Sequence, residues 1–121
     1  MFTLLCVDDE PAINTLHKIL FEIHGYRVIL ASSGPEALRA LESETVDLVI
    51  LDYKMPEMTG LELATAIRSK YADMPMVMES AYIDLPPRVL EQVDRYLTKG
   101  ESPQKILEIV RSLLARRRVE R

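Results

Sequence analysis

Residues 46–60 read VDLVILDYKMPEMTG. Leu48, Val49, Ile50 and Leu51 form an unbroken apolar run bounded by Asp47 and Asp52, and so short a run without alternation reads as a strand buried on both faces. The run ends on Asp52. Beyond it come Met55 and Pro56, then Thr59-Gly60-Leu61-Glu62, the pattern of a capping box that opens a helix. A carboxylate therefore sits at the carboxyl end of a central strand, where open α/β sheets hold their ligands.

Towards the N-terminus, Thr3 to Val7 is a second apolar run, stopped by Asp8, Asp9 and Glu10, with Pro11 where the first turn of a helix tolerates it. Ile13, Leu16, Ile19, Leu20 and Ile23 then recur at helical spacing up to Gly25, which predicts a C-terminal cap. His17 and His24 lie seven apart on this helix and read as solvated, with no partner cysteines to suggest zinc. Val28 to Ala31 is another short strand. Ser33-Gly34-Pro35-Glu36 repeats the capping-box arrangement, with Ala37, Leu38 and Leu41 as the inner face of the helix it opens.

Towards the C-terminus, Leu63, Ala64 and Ile67 give a third helix, and Met76, Val77 and Met78 a fourth strand closed by Glu79, Ser80 and Ala81. The stretch from Tyr82 to Asp94 is short for its task. Pro86 and Pro87 delay any helix, leaving about two turns over Arg88 to Val93. Arg95 to Lys99 reads as a fifth strand. Ser102-Pro103 starts a long final helix with Ile106, Leu107, Val110, Leu113 and Leu114 inward.

Short all-apolar strands alternating with helices call for a parallel sheet covered on both faces. The expected fold is α/β, a flavodoxin-like doubly wound five-stranded parallel sheet in the order 2-1-3-4-5, with an atypically short fourth helix. That order sets the first and third strands side by side at the switch point, so Asp8, Asp9 and Asp52 converge.

Composition agrees with one domain. A chain of 121 residues with 48% apolar and 28% charged residues is that of a globular protein with a real core. The formal charge of -4 argues against nucleic-acid binding by the domain as a whole, although Arg116 to Arg121 carry four arginines and one glutamate. This stretch reads as a basic tail or the start of a linker. Cys6, the single cysteine, falls inside the first apolar run and reads as a buried reduced thiol, which suits the cytoplasm. No apolar stretch approaches the roughly 20 residues that span a bilayer, and the acidic MFTLLCVDDE start does not read as a signal peptide.

Three carboxylates in one crevice repel one another by roughly 4 kcal/mol per pair, at about 4 Å and an effective dielectric near 20. A hard divalent cation held by carboxylates, a backbone carbonyl and waters would offset this and bring in a phosphoryl group. Lys99, at the end of the fifth strand, adds a second positive charge, and Ser80, at the end of the fourth, a hydroxyl. Such a set makes a phosphoryl-acceptor site in which Asp52 becomes an aspartyl phosphate.

These residues resemble the response-regulator receiver domain of two-component signalling, over residues 2 to about 117. The likeness is carried by Asp8-Asp9, by LDYKMPEMTG around Asp52, by Ser80-Ala81, and by Tyr96-Leu97-Thr98-Lys99. It implies that Asp52 takes the phosphoryl group from a sensor histidine kinase or a histidine phosphotransfer protein. Magnesium would be held by Asp8, Asp9, Asp52 and the backbone carbonyl of Lys54. Lys99 would pair with a phosphoryl oxygen, while Ser80 and Tyr96 would act as the switch. The resemblance further implies a single receiver domain over 1–121, no enzyme beyond slow self-dephosphorylation, and an output through a downstream protein or an attached output domain. It leaves room for a homodimer, and involves neither membrane nor other cofactor.

The chain departs from that family in several places. Gly100 stands where the family has a proline joined by a cis peptide, the segment between Ser80 and Lys99 is shorter, and Glu79 replaces an apolar residue. Glu79 and Lys54 are expected to tune the lifetime of the aspartyl phosphate. Two other readings compete: a degenerate receiver that acts as a constitutive interaction module, and an aspartate-nucleophile phosphatase of the haloacid dehalogenase type. The latter usually has a second aspartate where this chain has Lys54, and a cap domain for which there is no room. A nucleotide or flavin binder would need a glycine-rich loop after a strand, and none follows.

Overall fold

The computed structural model describes residues 1–81 and 85–120, the side chains of 117–120 excepted. The expected elements occur in the expected order. They are β1 (Thr3–Val7), α1 (Pro11–Ile23), β2 (Arg27–Ala31), α2 (Gly34–Ser43), β3 (Leu48–Asp52), α3 (Gly60–Lys70), β4 (Met76–Ser80), α4 (Pro87–Gln92), β5 (Arg95–Thr98) and α5 (Pro103–Glu120). All strand pairs are parallel and the sheet order is β2-β1-β3-β4-β5. The fourth helix is short, at six residues; Tyr82, Ile83 and Asp84, which precede it, lie outside the described residues.

The unbroken apolar strands are explained by a core on each face of the sheet. Leu5, Val7, Val49, Leu51, Met76 and Met78 pack towards Ala37 and Leu41 of α2, Leu63, Ala64 and Ile67 of α3, and Val89 of α4. The intervening Leu4, Cys6, Leu48, Ile50 and Val77 pack towards Phe21 of α1 and Ile106, Leu107, Val110, Leu113 and Leu114 of α5. With period-2 side chains, every apolar position of β1 and β3 finds a hydrophobic partner.

The caps follow their chemistry. Thr59 accepts from Glu62 N at 3.2 Å while Glu62 Oε1 accepts from Thr59 N at 3.1 Å, a complete capping box at the start of α3. At α2 only half of the box forms. Ser33 accepts from Glu36 N at 3.3 Å, but the Glu36 carboxylate takes the Ser32 hydroxyl at 2.8 Å instead. Gly25 follows α1 with φ +89°, the left-handed turn a glycine adopts without strain.

The apolar series on α1 does not form its inner face. Leu16, Ile19 and Ile23 are 62%, 53% and 73% exposed, and the buried residues of the helix are Asn14 and Phe21. The reason is polar. The Asn14 amide donates to Asp8 O at 2.9 Å and Ala31 O at 3.0 Å, tying α1 to the ends of β1 and β2. This turns residues 14, 17 and 21 to the sheet, so His17 is not solvated: its side chain is 13% exposed and meets Glu79. His24 is exposed, as expected, with Nδ1 2.8 Å from Leu20 O.

Candidate functional site

At the carboxyl end of the sheet, Val7 pairs with Leu51 and Asp52 with Glu79. Asp8, the residue after Val7, therefore comes beside Asp52. Ligand oxygens of Asp8, Asp9 and Asp52 all lie within 4.8 Å of one another, with Asp8 and Asp52 buried and Asp9 exposed. Lys99 follows β5 and reaches back over this cluster. Its Nζ is 3.0 Å from Asp8 Oδ2, 3.1 Å from Asp52 Oδ2 and 3.4 Å from Glu10 Oε1.

Backbone contacts hold the crevice in shape. Lys99 N donates to Ser80 O at 2.7 Å, and Tyr53 N to Glu79 O at 3.0 Å. Asp8 Oδ1 accepts from Glu10 N at 2.9 Å, which sets the turn of the acidic loop. Gly60 N donates to Tyr53 O at 2.7 Å. A Cβ at Gly60 would drive into the Asp52 carbonyl oxygen and Tyr53 Cα, so α3 can start this close to the Asp52 loop only with glycine there.

Burial first, then the charge of Asp8 and a smaller push from Asp9, outweigh the Lys99 hydrogen bond and charge, and together they raise the Asp52 pKa to about 6. For Lys99, burial disfavours the ammonium, but its hydrogen bonds to Asp8 and Asp52 and their charges outweigh this and hold it above the ordinary lysine range. One lysine thus serves two buried carboxylates. The charge left over is negative, and an all-oxygen donor set with that excess fits a hard divalent cation.

The crevice opens into a cavity of about 430 Å³ lined by Asp9, Glu10, Asp52, Lys54, Ala81 and Lys99, among others. Lys54 is exposed on its rim. Ser80 is buried at the end of β4. Tyr96 is half-buried and paired in register with Met78, packed on the α3 and α4 face of the sheet. Glu79, grouped with Lys54 in the sequence reading, does not line this cavity; its carboxylate turns to His17 on α1. Gly100 has φ +97° and no cis peptide bond occurs among the described residues, so the chain leaves Lys99 through a left-handed glycine turn. Glu10 and the pairing of His17 with Glu79 escaped the sequence reading; both depend on side chains meeting across elements with no spacing signal.

Residues 4–111 match the response regulator receiver domain family. The chain belongs to that family. Receiver domains with solved structures superpose closely on it. One from Methanospirillum hungatei has a TM-score of 0.95 at 30% identity, covering 100% of this chain and 99% of the other. The response regulator TrrA of Thermotoga maritima, solved in complex with Mg2+-BeF, has a TM-score of 0.86 at 38% identity, covering 93% of this chain and 99% of the other. The alkaline phosphatase synthesis transcriptional regulatory protein PhoP of Bacillus subtilis is 37% identical over 116 residues, 93% of this chain and 48% of that protein. The transcriptional regulatory protein GlrR of Escherichia coli is 39% identical over 99 residues, 79% of this chain and 22% of that protein. The chain thus spans about half or less of the curated relatives it matches. Among the described residues of this receiver domain, no helix is long and apolar enough to cross a membrane.

Proposed function

We propose that Asp52 is the phosphoryl acceptor of a two-component pathway, receiving its group from the phosphohistidine of a sensor kinase or histidine phosphotransfer protein. The observation that carries this is the seat of Lys99, 3.1 Å from Asp52 and 3.0 Å from Asp8, above three converging carboxylates. An Asp52 oxygen attacks phosphorus, an O–P bond forms, the donor's N–P bond breaks, and the imidazole leaves with the electron pair. Lys99 exchanges its contact with the Asp52 carboxylate for one with a phosphoryl oxygen, as a compact point charge on a flexible stem can do. The Ser80 hydroxyl turns to a second oxygen, and Tyr96 follows inward behind it.

Asp8, Asp9, Asp52 and the backbone carbonyl of Lys54 would hold magnesium, as the Mg2+-BeF complex of TrrA, a relative, makes reasonable. When bound, magnesium supplies the positive charge that brings a phosphoryl group against three carboxylates. The chain turns over no substrate beyond slow hydrolysis of its own aspartyl phosphate, in which water admitted through the cavity where Lys54 stands takes the phosphoryl group as inorganic phosphate and leaves the Asp52 carboxylate. In this reading residues 1–121 form one cytoplasmic receiver unit, and the basic stretch 116–121 leads on as a tail or a linker. Phosphorylation shifts the population of the α4, β5 and α5 surface towards a form that binds a downstream protein, an attached output domain or a second copy of the chain. Incubation with magnesium and an acyl phosphate should add the mass of one phosphoryl group to the wild type and none to Asp52→Asn. Equal labelling of both would reject Asp52 as acceptor.

A further inference from the structure

A further, half-buried carboxylate stands beside the crevice. Glu79 is the cross-strand partner of Asp52, and the next strand on carries Leu97 opposite it. Cys6, Ile50 and Val77 face α1 and α5; two residues further along each strand come Asp8, Asp52 and Glu79, on the same face. By position Glu79 therefore belongs to the acidic row of the acceptor. Its carboxylate is instead drawn to α1, where Oε1 lies 2.8 Å from His17 Nε2, both side chains 13% exposed. Neither Glu79 Oε1 nor His17 Nδ1 makes a hydrogen bond of good geometry among the described residues, so the two side chains meet by close approach. The charge of Glu79 is felt along the sheet: after burial it is the largest influence raising the Cys6 thiol.

Glu79, His17 and Lys99 line one groove of about 350 Å³ between α1 and α5. Its other walls, Ile13, Leu16, Leu20 and Ile106 among them, carry no charge. A half-buried carboxylate that loses its partner in such a place is driven to the nearest cation, and Lys99 is the cation of this groove. We propose that His17 is a positioning residue which keeps Glu79 off Lys99, leaving the ammonium committed to Asp52 and to the phosphoryl group Asp52 accepts. This rests on the acceptor reading above. The departure of Glu79 from the apolar residue of the family thus comes with its own partner on α1.

The test compares wild type, His17→Leu, His17→Gln and the double variant His17→Leu/Glu79→Leu by titration with magnesium and beryllofluoride, with thermal unfolding of each. His17→Leu should bind about tenfold more weakly, the size of one lost charge-assisted hydrogen bond. His17→Gln, which keeps a donor, should stay near wild type, and the double variant should recover. Weak binding that persists in the double variant would mean a merely structural His17 and overturn the proposal, as would wild-type binding by His17→Leu. Should His17→Leu not fold, His17→Ser, too short to reach Glu79, takes its place. A crystal structure of the single variant reads the position directly. Glu79 within hydrogen-bond distance of Lys99 is expected, and Glu79 left in place or turned to solvent would overturn the proposal even where beryllofluoride binds. A wild type that ignores beryllofluoride would instead remove the acceptor reading itself.

Discussion

Asp52 holds its proton to a pKa of about 6, chiefly because burial strips water from a carboxylate that already faces Asp8. Since the folded value lies above the ordinary carboxylate value near 4, the folded protein binds the extra proton between about pH 4 and pH 6. The contribution of Asp52 to stability therefore falls as pH rises through that window. Asp52→Asn should be more stable than wild type by a margin that opens from about pH 4, levels off above about pH 6, and narrows there when magnesium is added. Urea unfolding at a series of pH values would measure it, and a margin independent of pH would show that Asp52 is not so strained. Gly60 makes a different demand. Gly60→Ala should cost about 1–3 kcal/mol by overpacking against the Asp52 loop, with weakened beryllofluoride binding as a further sign. Both residues were legible in the sequence, one as a carboxylate ending a buried run, the other inside a capping box. His17 was not, because an imidazole at helical spacing carries no mark of the carboxylate it will meet.

At the scale of elements, α4 is too short to hold its own place through packing, with Val89 as its one buried residue. Arg68 of α3 supplies the anchor. Its guanidinium donates to Gln92 O at 2.9 and 3.2 Å, to Ala72 O at 2.9 Å, to Met74 O at 2.8 Å and to Asp94 Oδ2 at 3.2 Å. Asp94 in turn accepts from Met76 N at 2.8 Å, so one arginine ties the end of α4 to the starts of β4 and β5. Arg68→Ala should cost about 1–3 kcal/mol, and hydrogen exchange should quicken first around Gln92 to Arg95. Arg68→Lys should recover little, since an ammonium cannot span these acceptors. Strand and helix boundaries were legible because proline, glycine and cap residues mark them. The inward face of α1 was not. Its apolar series invited burial, yet the Asn14 amide, which donates to two carbonyls at strand ends, turned the helix and left Leu16, Ile19 and Ile23 outside.

For the molecule as a whole, alternation calls for a parallel sheet and the count of five strands selects its order, and it is this order that brings Asp8, Asp9, Asp52 and Lys99 to one crevice, with Ser80 ending β4 beside it. A full swing of such a domain from about 1:99 to 99:1 needs a differential of roughly 5.5 kcal/mol between its two forms. In the proposed switch that differential would come from magnesium, Lys99 and a phosphoryl group acting together. Lys99→Ala should therefore leave the fold intact while blunting the conformational response, read as smaller amide shifts in β5 and α5 at saturation. On the proposed function, Asp52, with magnesium, is the group through which this receiver domain is switched. Its most direct measurement is an amide NMR titration with magnesium and beryllofluoride of wild type and Asp52→Asn. The expected result is a saturable change spreading from Asp52 to Ser80, Ala81 and Lys99 that requires both reagents and vanishes in the variant. A wild type that does not respond, or a variant that responds equally, would contradict it.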